Sequence, residues 1–401
     1  MADNAKTIND IKTTMKNTVT NIANNPTAKK IINRMDIDRE FLINFAKNNY
    51  KKIILVTFAT FVILFYFLVI FRRVPRFLNR MDIYKMNIQP LQYNKQVMDG
   101  DFRLCDFYVA SSYKSYLPCT NYYDYACLDA IEKVLVYGAR YIDLDVFNND
   151  FNPCTEPIVC NGNEVGNWHY TTSIPFIDVC EMISKTAFSP AYVKNSSDPL
   201  FININFKTWG NKLTINKCAE IIKKNFLHKL LSNRFAYQGR FTSTNLATTP
   251  IKELLNRVII ITSGNITNTD MDELSNLHPE KNSNLRDLTD TNVKDSYDLK
   301  EIKEYNKKNI TRVVPDFNNR VKENYNYFTS YAVGCQFMCM NYTEPTSFMK
   351  SYMSRFSECS FRLKPYKLRY RPVYISPPLK QTKKVSFAPK RKTTPFYSIT
   401  Y

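Results

Sequence analysis

The stretch that decides the fold is Gly138–Phe147, which reads GARYIDLDVF. Its alternation of apolar and polar residues predicts a β-strand, with Tyr141, Asp143 and Asp145 on one face and aliphatic side chains on the other. The aliphatic face requires a hydrophobic core, whereas the other face directs two carboxylates into the same space. By itself the pattern also fits an edge strand with a solvated face, so the flanking segments decide between the two.

The segments around this strand alternate between strand and helix patterns. Further strands are expected at Phe107–Ala110, Pro157–Cys160, Leu200–Phe206 and Arg257–Thr262, and helices at Asp124–Val136, Phe176–Phe188 and Asn216–Leu231. This alternation predicts an α/β fold with a parallel sheet, either open or closed into a barrel. In a (β/α) barrel the functional groups lie at the carboxyl ends of the strands, where Asp145, Asn161 and Asn205 are expected.

The composition limits the classes of function. The chain has 401 residues, 44% of them hydrophobic and 14% aromatic, so it can bury a large core. Its net charge of +19 indicates an anionic partner, either a lipid surface or nucleic acid. Ten cysteines occur without a Cys-x-x-Cys pair and with only three histidines, so a zinc site of known spacing is not expected.

A long apolar run separates the N-terminal region from the rest. Residues 1–50 are polar, and one amphipathic helix is predicted there from the spacing of Ile8, Ile11, Met15, Val19 and Ile22. Residues 53–71 carry no charge, which predicts a single-pass transmembrane helix; a buried core helix is the alternative. Basic residues flank both ends of the run, so the membrane orientation is undecided. Residues 72–100 are expected to be a connector.

Two later segments are too polar to build a core. Residues 265–297 are charged and nearly free of aromatics, which predicts a linker, and residues 298–345 return to an ordered pattern. Residues 361–401 contain eleven Lys or Arg, six Pro and no Asp or Glu, which predicts a disordered basic tail. That charge suits an anionic membrane surface, and a tail that only adds solubility is the alternative. Nucleic acid is not the expected partner.

Several motifs follow one another in an order known from one enzyme family. They are Phe107–Leu117 (FYVASSYKSYL), Gly138–Phe147, Glu156–Gly162 (EPIVCNG), Pro199–Phe206, Tyr305–Pro315 (YNKKNITRVVP), Asn324–Asn326, Gly334–Gln336 and Met340–Tyr342. Together they resemble the phosphoinositide-specific phospholipase C family. The resemblance implies a (β/α)8 TIM-type barrel of the phospholipase C-like phosphodiesterase kind, with an X-like half at 101–264 and a shortened Y-like half at 298–345.

Both catalytic histidines of that family are replaced. The first position corresponds to Tyr113 and the second to Asn161. The family mechanism, an attack of the inositol 2-hydroxyl on phosphorus, needs groups that titrate near neutral pH. Asn does not titrate, Tyr has a reference pKa of about 10, and the loss of one such group costs about 10²–10⁴ in rate. His169 is a candidate replacement base, although a loop histidine is more often only packed.

The family's calcium site is degenerate as well. Asp143 and Asp145 keep carboxylates, but Asn205 stands for a Glu ligand and Lys114 for an Asn ligand. Calcium prefers oxygen ligands that include several carboxylates, so no cofactor is expected unless this degenerate site still binds Ca²⁺. We predict instead that Lys114 pairs with both aspartates and takes the electrostatic role of the ion.

The resemblance also implies candidate contacts to the substrate. Arg257 and Arg312 correspond to basic residues that bind phosphates in the family. Ile261 and Ser263 stand for two lysines, and Val314 for a tyrosine that stacks on inositol. Because phosphate clamps depend on Lys and Arg donors, the expected partners are anionic phospholipid or phosphoinositide head groups, but not highly phosphorylated ones.

The signals for the compartment conflict. Lys384–Phe387 (KVSF) resembles the short docking motif for type-one protein phosphatase, which would require a cytosolic tail. Sequons at Asn195, Asn265, Asn309 and Asn341 and the seven cysteines between positions 105 and 218 point to an oxidising compartment. The number of cysteines slightly favours a barrel in a lumen or outside the cell.

Three functions are compatible with these features. The first is a membrane-anchored, phospholipase C-like barrel that has lost catalysis and serves as a binding or scaffold module. The second is an active phosphodiesterase that cleaves phosphoinositides with a rearranged, metal-free site. The third is a structural membrane protein that acts through its basic tail. The substitutions at Tyr113, Asn161 and Asn205 favour the first function over the second.

Overall fold

The computed structural model forms two compact units, Met1–Arg76 and Phe77–Tyr401. It describes residues 12–17, 20, 25–118, 125–149, 156–163, 166, 168–236, 244–280, 284–316, 324–372 and 387–401. In these residues the first unit is helical, and the second contains all of the sheet.

Helix α1 runs from Pro26 to Asn79 and includes the apolar run. Within it, Lys47–Val69 is long and apolar enough to cross a membrane, with a mean hydropathy of 2.4 and no buried side chains. Among the residues that the structure describes, this is the one helix with those properties. The predicted amphipathic helix is described mainly at residues 12–17, which are helical, and most of it lies outside the described residues.

The predicted connector, residues 72–100, is ordered. Helix α1 occupies its first part, and short 3-10 turns and helix α2 (Lys95–Asp99) occupy much of the remainder. Met81 and Leu91 are buried in the hydrophobic core of the barrel. From Phe77 onward the segment therefore belongs to the barrel unit rather than to a free connection.

The strands, in chain order, have the following bounds. They are β1 (Phe107–Ser112), β2 (Tyr141–Asn148), β3 (Pro157–Val159), β4 (Ile174–Pro175), β5 (Leu200–Lys207), β6 (Val258–Ser263), β7 (Leu285–Thr289), β8 (Ile310–Val314), β9 (Phe337–Met340), β10 (Phe361–Leu363), β11 (Arg391–Thr393) and β12 (Ser398–Thr400). All but the last two belong to one sheet.

Seven strands run parallel in the order β6–β5–β2–β1–β9–β8–β7. Next to β6, Leu277 forms an isolated parallel bridge with Ile261, where an eighth strand would stand. The prediction of a (β/α)8 TIM-type barrel is thus confirmed, with its eighth strand reduced to a bridge in the described residues. Strands β1, β2, β5 and β6 lie in the X-like half, β7 lies in the segment predicted as a linker, and β8 and β9 lie in the Y-like half.

Three short strands are antiparallel additions to the barrel. Strand β3 pairs with the carboxyl half of β2, and β4 pairs with β3. Strand β10 pairs with β1. The strand predicted at Pro157–Cys160 therefore exists, but it is not one of the parallel strands. It folds back over the end of β2 and lies beside the carboxyl end of the barrel.

Helices connect the strands on the outside of the barrel. They are α3 (Leu128–Val136), α4 (Phe176–Ala187), α5 (Lys212–Phe226), α6 (Ile251–Leu254), α7 (Asp270–Leu274), α8 (Asp290–Lys294), α9 (Leu299–Tyr305), α10 (Phe328–Ala332) and α11 (Ser347–Arg355). Helix α5 begins four residues before the predicted start because the side chain of Asn211 accepts hydrogen bonds from the N–H groups of Leu213 and Thr214.

The hydrophobic core has two main layers. Ile142 and Leu144 of β2 face the layer between the sheet and the helices. Tyr141 faces the interior of the barrel, where its ring lies 4.7 Å from that of Phe337, and Phe201 lies 4.9 Å from the same ring. Aromatic packing fills the barrel at the amino ends of its strands, and polar groups are left for the other end.

The segment predicted as a charged linker contributes to the barrel. Residues 265–297 include α7, the barrel strand β7 and α8. Strand β7 was hidden in the sequence because its pattern, LRDLT, is short and carries two charges. The register of β7 with β8 pairs Asp287 with Arg312. The negative charge of Asp287 is thus compensated by an arginine on the neighbouring strand.

The basic tail is ordered in two places that composition did not predict. Strand β10 and the following residues pack on β1, and Lys364 is fully buried. Strands β11 and β12 form a separate exposed hairpin. Residues 373–386 lie outside the described residues, and with them all of the phosphatase-docking motif except Phe387, which is exposed.

The compartment signals are weaker in the structure than in the sequence. The eight cysteines in the described residues are all free thiols, so their number does not indicate disulfides. Asn195 is buried, and its side chain accepts a hydrogen bond from Arg140. Asn341 bonds to the main chain within a turn, whereas Asn265 is exposed. The membrane orientation of the barrel stays undetermined.

Candidate functional site

On five barrel strands, apolar side chains on the inward face are followed by polar ones. The sets are Tyr141, Asp143 and Asp145 on β2, Phe201, Asn203, Asn205 and Lys207 on β5, Ile259, Ile261 and Ser263 on β6, Leu285 and Asp287 on β7, and Ile310 and Arg312 on β8. Side chains two residues apart share a face of a strand. Because the strands are parallel, their polar members converge at the carboxyl end of the barrel.

A cavity of about 240 Å³ lies at this end. It is lined by Tyr113, Lys114, Asp143, Asp145, Asn205, Lys207, Ser263, Asp287, Arg312 and Val314. Three carboxylates therefore face three cations. Most of the predicted site residues are brought together here, and the charges of the cavity are balanced within the protein itself.

Lys114 reaches into the cavity from the turn after β1. Its backbone has a positive φ of 43°, and its N–H donates to Asp143 Oδ2 at 3.0 Å. The ammonium group donates to Asn161 Oδ1 at 2.5 Å and lies 3.4 Å from Asp145 Oδ2. The predicted pairing is thus corrected in part, because the ammonium pairs with Asp145 whereas Asp143 is bound by the main chain.

Asp143 is almost fully buried and surrounded by donors. Its Oδ1 accepts from Asn203 Nδ2 at 2.7 Å and from Asn205 Nδ2 at 2.9 Å, and its Oδ2 accepts from the Lys114 N–H. Burial raises the pKa of the Asp143 carboxyl above its usual value, and the charge of Asp145 raises it further. Both oxygens already have partners within the protein.

The carboxylate of Asp145 has three side-chain partners. Tyr116 donates its hydroxyl to Oδ2 at 2.8 Å, Asn205 Nδ2 donates to Oδ1 at 2.8 Å, and Lys114 supplies the ammonium. Burial and the nearby Asp145 charge raise the pKa of Tyr116 well above its ordinary value. The phenol therefore stays protonated and acts as a donor that holds the carboxylate in place.

The amide of Asn205 directs its donor toward the carboxylates. Its Nδ2 bonds to both Asp143 and Asp145, while its Oδ1 accepts from Asn203 and from Ser263 Oγ at 2.7 Å. A divalent cation would need the opposite orientation, with oxygens facing the centre. Among the described residues, no group of three or more His, Cys, Asp or Glu side chains could hold a metal ion. These donors do not fit calcium.

Arg312 lies on the other side of the cavity and was predicted as a phosphate contact. Its guanidinium forms a bidentate ion pair with Asp287, with Nε donating to Oδ1 at 2.8 Å and Nη2 to Oδ2. Its Nη1 donates to the Tyr141 hydroxyl at 3.1 Å. Asp287 was missed from the sequence because it lies in the segment predicted as a linker. The sequence LRDLT does not alternate between apolar and polar residues, so it offered no signal for this strand.

Arg257 does not belong to the cavity, so its prediction as a substrate contact is corrected. It directly precedes β6 and lies at the amino end of that strand, where Nη1 donates to the His228 carbonyl at 3.3 Å. The cavity is at the other end of β6, at Ser263. Ile261, which lies two residues before Ser263 on the same face of the strand, is buried in the barrel interior. Strand β6 therefore presents no cation to the cavity.

The three candidate acid–base positions lie in different surroundings. Tyr113 lines the cavity, and the Lys114 ammonium lies 5.8 Å from the centre of its ring. Asn161 is buried behind Lys114, and its Nδ2 has no hydrogen-bond partner among the described residues. His169 is not among the lining residues, and its ring packs edge-on against Phe147 at 5.2 Å. The geometry supports a packing role for His169.

Lys207 was not predicted from the sequence. It ends β5, two residues beyond Asn205 on the same face, and lines the cavity. Burial lowers the pKa of its ammonium group, although the Asp145 charge opposes this shift. The two-residue spacing after Asn205 was the signal that could have identified it.

The parallel strands and the polar cavity at their carboxyl ends define a TIM-type barrel. The family model for the phosphatidylinositol-specific phospholipase C X domain matches residues 101–263, and the model for the Y domain matches residues 255–367. Together the matches span two thirds of the chain, in the order of the motifs. The chain therefore belongs to the phosphatidylinositol-specific phospholipase C family.

Curated relatives match over shorter segments. The 1-phosphatidylinositol 4,5-bisphosphate phosphodiesterase eta-1 proteins of Mus musculus and Homo sapiens are 32% identical over 112 residues, which is 28% of this chain and 6% of each relative. The phosphodiesterase beta egl-8 of Caenorhabditis elegans is 28% identical over 157 residues, 39% of this chain and 9% of that protein. The similarity thus covers a small part of each relative.

Solved structures support the fold. The crystal structure of L. pealei PLC21 superposes with a TM-score of 0.53 at 17% identity, over 67% of this chain and 38% of that one. PLC21 of S. officinalis gives 0.52 at 20% identity with the same coverage. At this level of identity the likeness concerns the barrel architecture and not the chemistry of the cavity.

Proposed function

We propose that this chain is a membrane-anchored, phospholipase C-like barrel that binds phosphoinositide-type head groups without cleaving them. The observation that carries the proposal is the position of the Lys114 ammonium, between Asn161 and Asp145. A fixed cation there provides the positive charge that would otherwise come from a metal ion. It can hold a phosphate oxygen, but it cannot accept a proton from the inositol hydroxyl while it is charged.

The lining of the cavity supports binding rather than catalysis. None of its residues is a histidine, and both Asp143 oxygens already accept hydrogen bonds from Lys114, Asn203 and Asn205. A general base must reach the proton that it removes, and a carboxylate enclosed by donors does not. An active phosphodiesterase with a rearranged site would have to expose Asp143 or recruit His169 from its packing against Phe147.

Calcium is not part of the proposed function. The Asn205 amide presents its Nδ2 to the two aspartates, and Lys114 neutralises Asp145. Binding of a divalent cation would require the amide to turn and the ammonium to leave. The membrane anchor of the proposal is Lys47–Val69, whose length and hydropathy suit a bilayer.

The test is phosphatidylinositol hydrolysis by the full chain in neutral detergent micelles, with calcium and then with a chelator. We expect no turnover in either condition. We also expect the unmodified chain to bind glycerophosphoinositol. The double variant Tyr113→His, Asn161→His is the comparison, because it restores two titratable groups and leaves Lys114 in place. Turnover by the unmodified chain that persists in chelator would overturn the proposal in favour of the metal-free enzyme.

A second candidate function rests on the exposed hairpin. Lys390 and Lys392 share a face with Ile399 and Tyr401, as the register of β11 and β12 requires. Phe396 in the turn is almost fully exposed. An isolated two-stranded hairpin is marginally stable in water, and a face of this charge is complementary to an anionic bilayer. On this view the chain acts as a structural membrane protein through its tail.

Limited trypsin digestion separates this candidate from the first. The full chain is reconstituted into vesicles of phosphatidylcholine alone or of phosphatidylcholine with phosphatidylserine. If the hairpin docks on the bilayer, cleavage after Lys390, Arg391 and Lys392 slows in the anionic vesicles, while cleavage after Lys212, which is exposed at the start of α5, does not. Equal rates in both vesicles would remove the support for a tail that binds lipid.

A further inference from the structure

We propose that Asp287 is a selectivity residue that excludes phosphate groups from the Arg312 side of the cavity. The inference rests on the proposed head-group binding and specifies its ligand class. That class is a head group whose only charge is the phosphodiester itself, as opposed to one that also carries phosphate on its ring.

The pairing of Asp287 with Arg312 is enforced by the sheet. The two residues are direct Cα partners on the neighbouring parallel strands β7 and β8. Both side chains face the cavity, because each lies two residues after an apolar residue of the barrel interior, Leu285 and Ile310. The register therefore places the carboxylate beside the guanidinium at the cavity.

The guanidinium fork formed by Nε and Nη2 is already taken by a carboxylate of the chain, and three of the five N–H donors have partners within the protein. Nε and Nη2 bind the two oxygens of Asp287, and Nη1 binds the Tyr141 hydroxyl. Phosphate recognition by arginine normally uses that same pair of parallel N–H donors. An incoming phosphate would also meet the negative charge of Asp287, and like charges in contact weaken binding.

The opposite side of the cavity differs in the kind of cation that it presents. There Lys114 and Lys207 contribute two ammonium groups beside Asp143 and Asp145. Lysine binds phosphate as a point charge and does not need a free fork. The cavity thus has one side where a single phosphodiester can lie and another side, at Arg312, that is already occupied by a carboxylate of the chain.

The experiment uses the full chain in neutral detergent and the variant Asp287→Asn. Binding of inositol 1,4,5-trisphosphate, myo-inositol 1-phosphate and inorganic phosphate is measured by calorimetry. We expect the variant to bind the trisphosphate at least about tenfold more tightly than the unmodified chain, with less than about a threefold change for myo-inositol 1-phosphate. Inorganic phosphate distinguishes a site for any phosphate from one that requires the inositol ring.

A matched control lies on the same strand. Arg286, next to Asp287, forms a bidentate pair with Glu301 on the outside of the barrel, at 2.8 and 2.7 Å. The variant Glu301→Gln also removes one negative charge from an arginine pair, but away from the cavity. We expect its trisphosphate affinity to equal that of the unmodified chain. An equal gain in both variants would assign the effect to net charge and overturn the proposal.

Loss of folding in the variant is also informative. Asp287→Asn leaves Arg312 without its counter-ion, so the variant is refolded with inorganic phosphate, and Asp287→Ser serves as a second variant. If the freed fork accepts oxyanions, phosphate raises the melting temperature of the variants and not that of Glu301→Gln. A folded variant without tighter binding, or unfolded variants that phosphate does not restore, overturns the proposal.

The two proposals fail in distinguishable ways. If the unmodified chain binds no head group but Asp287→Asn binds the trisphosphate, the proposed function is wrong and the role of Asp287 stands. If the unmodified chain binds glycerophosphoinositol and the Asp287 variants match it on every ligand, only the role of Asp287 is wrong.

Discussion

The two ends of the barrel hold buried charges in different ways. At the amino end, Arg140 donates to the carbonyls of Ala187 and Asn195, and Lys364 donates to the carbonyl of Asn306. At the carboxyl end the charged groups are held mainly by side chains, as Asp145 and Arg312 show, although Asp143 also accepts from the Lys114 N–H.

The buried carboxylates at the amino end also have partners on the main chain. At the amino end, Asp198 accepts from the Leu91 N–H, and Asp106 accepts from the N–H groups of Arg103 and Tyr370. A partner on the main chain is fixed by the fold, so these charges act as permanent links between segments. A partner on a side chain is not fixed by the main chain, and one such partner, the Lys114 ammonium beside Asp145, can turn to a ligand. The difference separates the structural end of the barrel from the end that can bind.

The largest effect is expected from removing a charge at the amino end. Arg140→Met leaves the carbonyls of Ala187 and Asn195 without donors and should lower the free energy of unfolding by about 3–5 kcal/mol. Lys114→Met should cost less, about 1–2 kcal/mol, because Asp145 keeps its bonds to Tyr116 and Asn205. Urea unfolding of the full chain in neutral detergent measures both. Equal losses would contradict the distinction between the two ends.

The next effect concerns exchange at the carboxyl end. In Lys114→Asn an amide oxygen replaces the ammonium beside Asp145, so we expect measurable calcium binding and a stabilisation of about 2.7 kcal/mol at one hundred times the dissociation constant. The unmodified chain should not respond to calcium. A calcium titration followed by calorimetry and by thermal melting tests this. A flat titration of the variant would mean that the ammonium does not occupy the position of an ion.

The smallest effect is a pH dependence at the amino end. Burial raises the pKa of the Asp198 carboxyl to about 6, and Arg140 opposes part of the rise. Because the folded-state pKa lies above that of the unfolded chain, this group lowers stability as the pH rises from about 4 to about 6. Asp198→Asn keeps an acceptor for the Leu91 N–H and removes the buried charge.

We therefore expect Asp198→Asn to match the unmodified chain near pH 4 and to exceed it by about 2–3 kcal/mol above pH 6. Urea unfolding at a series of pH values supplies the measurement, and Asp99→Asn, an exposed aspartate on α2, is the control. A constant difference between the two chains across the pH range would show that the Asp198 carboxyl is not the titrating group.

Much of the fold could be predicted because the information is local. The alternation in Gly138–Phe147 specifies which side chains face the barrel interior, and the motif order specifies the two halves. Strands β7 and β10 could not be predicted, because each is short and lies in a charged segment, and its stability comes from pairing with β8 or β1. Tertiary pairing overrides composition at such positions.

The site was predictable to the extent that residues share a strand. Asp143 and Asp145 follow from the period of two, and Lys207 would have followed from Asn205 by the same rule. The Asp287–Arg312 pair joins two strands, and the register between strands is not written in either one. Arg257 shows the converse error, because a motif match assigned its role although it precedes β6 and lies at the wrong end of that strand.

The pairing of β1 with both β9 and β10 also has a consequence during synthesis. Strand β1 is made early, but the residues that cover it, up to Lys364, are among the last of the barrel to leave the ribosome. Until then β1 exposes an open edge, and contacts so distant in sequence form slowly. The apolar segment Lys47–Val69 leaves the ribosome before any barrel strand. The barrel therefore closes on a nascent chain whose N-terminal segment is already available to a membrane.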